Sequence, residues 1–263
     1  MGKSFMKINN QFFSKEQINE FTYIKVEGFL LYSYLLYEQS NRETVTATIR
    51  QIQAFLNRDY DKRPSVKYDE NKSSKISCLK DKKTIMRYLK ILEQRELIKI
   101  YNKESIEDKI NINNPIIIKC LYEDFTKGFT IISNELFVDK IHKIGSTGWA
   151  ILCLLTNLHN NTYGGKYSQG FCNPSQAYIK NILKCGLNAV KGYTTLLEKQ
   201  HLIKIEEQDK IEKGIDVYGN TIYEYTPNHY IVKNKDIENK YYIEFKNNKL
   251  KEDKKINENK EVK

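Results

Sequence analysis

Several residue types and patterns are scarce in this chain, and each scarcity removes a class of answer. Of its 263 residues only 4 are proline and 12 glycine, which excludes collagen-like and flexible low-complexity architectures. The five cysteines, Cys78, Cys120, Cys153, Cys172 and Cys185, form no CxxC pair and have no histidine at zinc-finger spacing. They read as free thiols of a reducing cytosol, with no disulfide framework and no metal site expected. The four histidines, His142, His159, His201 and His229, are widely separated and never form a His-apolar-His pair, so metal-assisted strand nicking with a tyrosine nucleophile is not expected. Gly164-Gly165-Lys166-Tyr167 lacks the spacing and the hydroxyl of a phosphate-binding loop, and reads as an ordinary loop. The longest apolar stretch, Trp149 to Leu155, is too short to span a bilayer, and the N-terminus lacks the order of a secretory signal. These absences together describe a cytoplasmic protein with no enzymatic activity, no cofactor and no membrane partner.

What is present is a foldable composition with an excess of positive charge. Hydrophobic residues make up 40% and charged residues 29% of a length sufficient for two ordinary domains. The net charge of +10 favours a polyanionic partner, because each Lys or Arg that displaces a condensed counterion gains affinity. A lysine- and asparagine-rich composition can also reflect AT-rich coding, so charge alone weighs modestly.

The chain repeats itself in three blocks. Ser4 to Phe13 matches Gly128 to Phe137, with Phe5 against Phe129, Asn10 against Asn134 and Phe13 against Phe137. Gly28-Phe29-Leu30-Leu31 matches Gly148-Trp149-Ala150-Ile151, and Ile91 to Ile100 matches Leu196 to Ile205, with Glu93 against Glu198 and Tyr88 against Tyr193. Three blocks recurring in one order with changing offsets indicate a duplicated domain. The expected division is 1–126, then 127–246, with a disordered charged tail over 247–263. The first copy differs by a polar, basic insertion over 57–77 that reads as a long loop.

Each copy predicts a short extended arm and then a largely buried helix, Val26 to Tyr37 or Ser146 to His159. In the second copy, Asn173-Pro174-Ser175 reads as a cap and proline start for a helix Ser175 to Leu183. Lys184-Cys185-Gly186 reads as a tight turn with a left-handed glycine, followed by a helix Leu187 to Gln200. The first copy places its corresponding helices at Thr44 to Leu56 and Lys80 to Arg95. Strands follow at Leu97 to Tyr101 and Leu202 to Glu206, with returning strands at Ile116 to Cys120 and Thr221 to Tyr225. A helix-turn-helix followed by a hairpin is a winged helix, so the expected class is α+β, predominantly helical, with two tandem winged helix-turn-helix domains.

The pattern Leu-Glu-x-x-x-Leu-Ile-Lys-Ile resembles winged-helix DNA-binding proteins of low-GC Gram-positive bacteria. The second copy, with Phe-Thr-Ile-Ile-Ser-Asn-Glu-Leu, Gly-Trp-Ala-Ile and Asn-Pro-Ser, is similar to helix-turn-helix modules of plasmid replication initiators and DnaD-like proteins. The resemblance covers roughly residues 4–230 at the level of fold. It implies sequence-specific binding of double-stranded DNA by a plasmid-type replication initiator at repeated origin sites, with host replication proteins as further partners. A transcriptional regulator, a conjugation or partition factor, and a winged-helix protein-interaction module are the alternatives. The second helix of each unit would enter the major groove, presenting Lys82, Lys83, Thr84, Arg87 and Lys90 in the first copy. Asn188, Lys191, Thr194 and Thr195 are the corresponding residues of the second. The wings would add Lys103, Lys109, Lys210 and Lys213. One chain would then act as a pseudo-dimer or pair into a homodimer, with the first copy supplying affinity and the second discrimination.

Overall fold

A computed structural model of the chain describes residues 5–40, 42–58, 65–69, 72–76, 79, 81–101, 113–121, 128–163, 171–215 and 221–233. The first segment runs β1 (Phe5–Asn9), a short 3-10 turn, α1 (Glu20–Gln39), β2 (Val45–Ala47) and α2 (Ile49–Asn57). It continues through a ribbon of β3 (Ser65–Asp69) and β4 (Lys72–Lys75), then α3 (Lys82–Gln94), β5 (Ile98–Ile100) and β6 (Ile116–Cys120). The second segment runs β7 (Phe129–Ser133), α4 (Asn134–Tyr163), α5 (Gln176–Leu183), α6 (Leu187–Lys199) and β8 (Ile203–Glu206). Its last strands are β9 (Lys210–Ile215), β10 (Thr221–Tyr225) and β11 (His229–Val232). The fold is α+β, with small antiparallel sheets beside helices. The expected boundary near 127 and the expected tail over 247–263 lie outside the described residues.

Local chemistry sets these elements. Thr48 starts α2 through a reciprocal capping box: its hydroxyl accepts from Gln51 N at 3.1 Å and Gln51 Oε1 accepts from Thr48 N at 2.8 Å. The sequence expectation of a helix from Thr44 misses that Val45-Thr46-Ala47, with β-branched Val45 and Thr46 ahead of the cap, is instead a strand paired with Ile116–Ile118. In the second segment Ser175, not Asn173, is the cap, accepting from Tyr178 N at 3.1 Å. The turn after α5 places the left-handed conformation at Lys184 (φ 53°), while Gly186 is extended and begins α6.

In the first segment the strand order is β2-β6-β5. In the second, β11 pairs with β8, and Cys172 bridges Tyr230 of β11 on the side that β2 occupies in the first. The returning strand of the second sheet is therefore His229–Val232, whereas Thr221–Tyr225 pairs with Lys210–Ile215 as a separate hairpin. On β11, Tyr230 and Val232 reach the core.

Matching positions carry matching backbone and packing. Lys25 (φ 53°) and Gly145 (φ 65°) break α1 and α4 at the same place. Gly28 faces Tyr88, and Gly148 faces Tyr193. A β-carbon at Gly28 would lie 2.9 Å from Tyr88 Cδ1, and one at Gly148 would lie 3.2 Å from Tyr193 Cδ1. Alanine usually stabilises a helix relative to glycine, yet here it must push a buried ring aside. Gly28→Ala and Gly148→Ala are expected to destabilise by about 1–3 kcal/mol, with Gly28→Ala the worse, as measured by denaturant midpoint.

The Leu-Glu-x-x-x-Leu-Ile-Lys-Ile repeat is accounted for residue by residue. Leu92 and Leu197 are fully buried. Glu93 Oε1 accepts from Ile100 N at 3.1 Å and Glu198 Oε1 from Ile205 N at 2.8 Å, tying each helix to the strand after it. Glu96 and His201 both take φ 55°, where the chain turns out of the helix, and Leu97 N and Leu202 N return to Leu92 O and Leu197 O. A left-handed position with a side chain is strained. Glu96→Gly and His201→Gly are each expected to raise stability by up to ~1 kcal/mol, seen as a higher thermal midpoint; no change or a loss contradicts it.

The two segments meet with two-fold character. β1 pairs antiparallel with β7 so that Phe5 faces Ser133, Lys7 faces Ile131 and Asn9 faces Phe129. Since the repeat matches Phe5 to Phe129 and Lys7 to Ile131, each residue faces its partner's counterpart, the arrangement of an isologous interface. Above this ribbon, Trp149 is fully buried and its Nε1 donates to Ser33 Oγ at 3.0 Å. Phe137 stacks on Phe55 and meets Trp149 edge-on, and Asn19 Nδ2 donates to Ile182 O at 2.9 Å. Buried residues of both segments form one continuous core.

Candidate nucleic-acid interface

The second helix of each segment is held by its apolar face, which fixes what it can present. In α3, Ile85, Tyr88, Leu89 and Leu92 are buried, leaving Lys83, Arg87 and Lys90 exposed on the other side. Their three- and four-residue spacing makes one row about 10 Å long. None of the three is in an ion pair among the described residues. Arg95, by contrast, is withdrawn into a two-bond pair with Glu20, Nη2 to Oε1 at 2.8 Å and Nε to Oε2 at 3.1 Å. The Arg87 guanidinium lies 4.9 Å from the ring of the neighbouring Tyr88, a cation–ring contact.

The start of α3 is occupied. Asp81 accepts from the backbone N–H groups of Lys83 and Thr84, each at 3.2 Å, and from the Thr84 hydroxyl at 3.2 Å. The backbone bond from Lys83 leads in holding the Asp81 carboxyl below its ordinary range. A carboxylate on these N–H groups leaves the helix end no call on a phosphate, and Thr84 is partly committed to the cap. The anion-facing chemistry of α3 therefore lies along its side. Lys82 is half-buried at the first turn.

In α6, Asn188, Lys191 and Thr195 are exposed, and the Thr195 hydroxyl donates to Lys191 O at 3.1 Å. Thr194 differs from expectation. It is 3% exposed, with its hydroxyl donating to Val190 O at 2.9 Å and Lys191 O at 3.0 Å, so it faces the core. The repeat carried the signal: with Tyr193 set against Tyr88, Thr194 falls at the position of buried Leu89. Lys213 is exposed on β9, and Lys210 lies on the same strand. Lys103 and Lys109 lie outside the described residues.

Strand alternation points to one cation that the helix-centred reading passed over. Lys99 is exposed between buried Ile98 and Ile100, its ammonium 5.2 Å from the Tyr101 ring. Its counterpart Lys204 is paired with Glu206 at 2.6 Å, and that pairing leads in lowering the Glu206 carboxyl from its ordinary value. Among the described residues Lys99 is thus in no ion pair, whereas its counterpart is.

Burial pushes up the thiols of Cys120 and Cys153, that of Cys172 to about 12 and that of Cys185 to about 11, so these four are protonated and poor nucleophiles at neutral pH. Among the described residues no three His, Cys, Asp or Glu side chains gather as a metal-holding group, and no helix is long and apolar enough to cross a membrane. Comparison with protein-family models, curated proteins and solved structures finds no match to this chain.

Proposed function

We propose that each segment is a winged helix-turn-helix unit, that the two arose by duplication, and that together they bind double-stranded DNA with sequence specificity. The observation that carries this reading is the exposed row Lys83, Arg87 and Lys90 on α3, the second helix of a helix pair followed by an antiparallel hairpin. The strand order β2-β6-β5 supports the winged-helix description. The matched pairs Lys25 and Gly145, Gly28 and Gly148, and Glu96 and His201 support the duplication.

On this reading α3 enters a major groove, where the Arg87 guanidinium has the fork to meet guanine O6 and N7, and Lys83 and Lys90 reach phosphates. α6 offers the Asn188 amide, whose donor and acceptor suit the N6 and N7 of adenine. The isologous pairing of β1 with β7 relates the two helices by a local two-fold, so one chain presents them as a symmetric dimer would. Inverted half-sites suit that symmetry.

The narrower role is a plasmid-type replication initiator at repeated origin sites, and its support is the sequence resemblance; transcriptional, conjugative and partition roles would use the same surface. A protein-docking role has one feature in its favour, the exposed Ile211 and Ile215 on β9, at 52% and 67%. Titrating a labelled duplex at several salt concentrations separates the classes. Three phosphate contacts, from Lys83 and Lys90 of α3 and Lys99 of β5, contribute about −2.7 to the log–log slope, whereas no binding, or binding indifferent to salt, rejects the DNA reading. A plasmid that persists unchanged after the gene is inactivated rejects the initiator role while leaving DNA binding intact.

A further inference from the structure

α6 differs from α3 in what it offers an anion. With Tyr193 against Tyr88, Leu187, Asn188, Gly192 and Thr195 stand where α3 has Lys82, Lys83, Arg87 and Lys90. Every cation of the α3 row is replaced by a neutral residue, and Lys191 and Lys199 stand instead where α3 has Met86 and Gln94. A helix that reads a groove with so little charge needs its phosphate contacts from elsewhere.

The 57–77 insertion of the first segment is not a plain loop. It contains the antiparallel β3–β4 ribbon, and β3 lies against α6 of the second segment. Its anchor is Val66, 2% exposed and part of the common core, while Ile76 and Leu79 bury the return to α3. Asn57 Nδ2 donates to Leu79 O at 2.7 Å and closes the base of the insertion. In register, Val66 pairs with Ser74, Ser65 with Lys75 and Lys67 with Ser73. By register and the two-residue period of a strand, Lys67, Ser73 and Lys75 stand at the alternate positions in line with Ser65, which is exposed, and out of line with buried Val66. That set holds two lysines, two serines and no acid. Asp69 lies past the register shift, opposite Lys72.

We propose that the β3–β4 ribbon is the phosphate-binding element of the second recognition unit, with Lys67 and Lys75 contacting the backbone of the duplex whose groove α6 enters. The inference rests on the DNA-binding reading above and makes the second surface composite: residues 65–75 of one segment complete a helix of the other. Ammonium and hydroxyl groups on a ribbon beside a groove-reading helix are the chemistry that positions a protein on phosphates without reading bases. The insertion then offsets the charge that α6 lacks.

The test uses the full chain and a fluorophore-labelled, mixed-sequence B-form duplex, comparing wild type with Lys67→Gln/Lys75→Gln and with Val66→Gln. The double variant is expected to bind about tenfold or more weakly at low salt, with a log–log salt slope shallower by about two. Affinity and slope equal to wild type overturn the proposal. Val66→Gln keeps both lysines but places an amide at the buried anchor and releases the ribbon from α6, so it too is expected to weaken binding. Unchanged binding by this variant overturns the proposal, as does tighter binding, which would make the ribbon a shield over α6. A wild-type chain that does not bind the duplex removes the DNA reading and this inference together. A wild type that binds alongside an unaffected double variant removes this inference alone.

Discussion

Replacing Arg87 by alanine is expected to weaken binding of a cognate duplex by about 1–3 kcal/mol, roughly 5- to 150-fold in Kd, while leaving the thermal midpoint nearly unchanged. The two halves of that expectation have separate causes. Arg87 is exposed and makes no ion pair among the described residues, so the fold loses the ring contact and the side-chain hydrogen bond that its guanidinium makes with the neighbouring Tyr88. The binding side loses a planar donor fork that lysine cannot reproduce, so Arg87→Lys should recover phosphate attraction but not base discrimination. Lys90→Ala should differ in kind, weakening all sequences alike and reducing the salt slope by about one. Arg95→Ala is the internal control: its guanidinium is held by Glu20, so its loss should change stability more than DNA affinity. Equal binding by wild type and Arg87→Ala would remove α3 from the proposed interface.

The largest effect on stability is expected at Trp149. Truncation to alanine empties a site with no solvent exposure, strips an edge-on ring partner from Phe137 and removes the donor to Ser33 Oγ. A loss of about 3–5 kcal/mol follows from burial and cavity together, a large share of the ~5–15 kcal/mol typical of a folded protein. The position matters as much as the size. Trp149 is in the second segment and Ser33 in the first, so the variant should loosen the joint between them as well as lower the unfolding midpoint. Trp149→Phe keeps most of the buried area and loses the hydrogen bond, so its cost should be clearly smaller. Because Trp149 is the chain's single tryptophan, its emission reports native unfolding directly. A midpoint for Trp149→Ala within 1 °C of wild type would contradict the packing account, given that ~1 kcal/mol moves the midpoint by at least ~2 °C at this size.

Much of this architecture could be read from the sequence where one physical rule acts alone. The apolar spacing of α3 and α6 placed Ile85, Leu89, Leu92, Val190 and Leu197 inside, and they are buried. The repeated Leu-Glu-x-x-x-Leu-Ile-Lys-Ile stretch marks two equivalent helix-to-strand passages; the φ of 55° that Glu96 and His201 share there has no signal in the sequence. The reading failed where two rules compete. Val45 to Ala47 can serve a helix or a strand by apolar content, and its β-branched residues ahead of a capping box settle it as strand. Thr221 to Tyr225 is a strand as expected, yet it pairs with Lys210–Ile215, and His229–Val232 takes the place beside Ile203–Glu206. Correspondence between the two helices places Thr194 on the groove side, although a threonine whose hydroxyl bonds back within its own helix is easily buried. Neither the pairing of β1 with β7 nor the seating of β3 on α6 has a local signature, because both join residues far apart in the chain.

The division between the two segments follows from charge. α3 carries Lys83, Arg87 and Lys90 in the open, with Lys99 beside it, whereas α6 shows Asn188 and Thr195 with Lys191. Under the proposed function the first helix supplies more of the affinity and the second more of the neutral, hydrogen-bonded discrimination. The joint fixed by β1, β7 and Trp149 holds both on one chain.

Hydroxyl-radical footprinting of the full chain, on a duplex selected from a random library, tests this most directly. One bound chain is predicted to protect the sugar-phosphate backbone flanking two separate major-groove segments, and Lys83→Ala/Arg87→Ala should erase one of these protections while the other persists at higher protein concentration. A single protected segment, or the loss of both together at every concentration, would contradict the account of two unequal DNA-reading units on one chain.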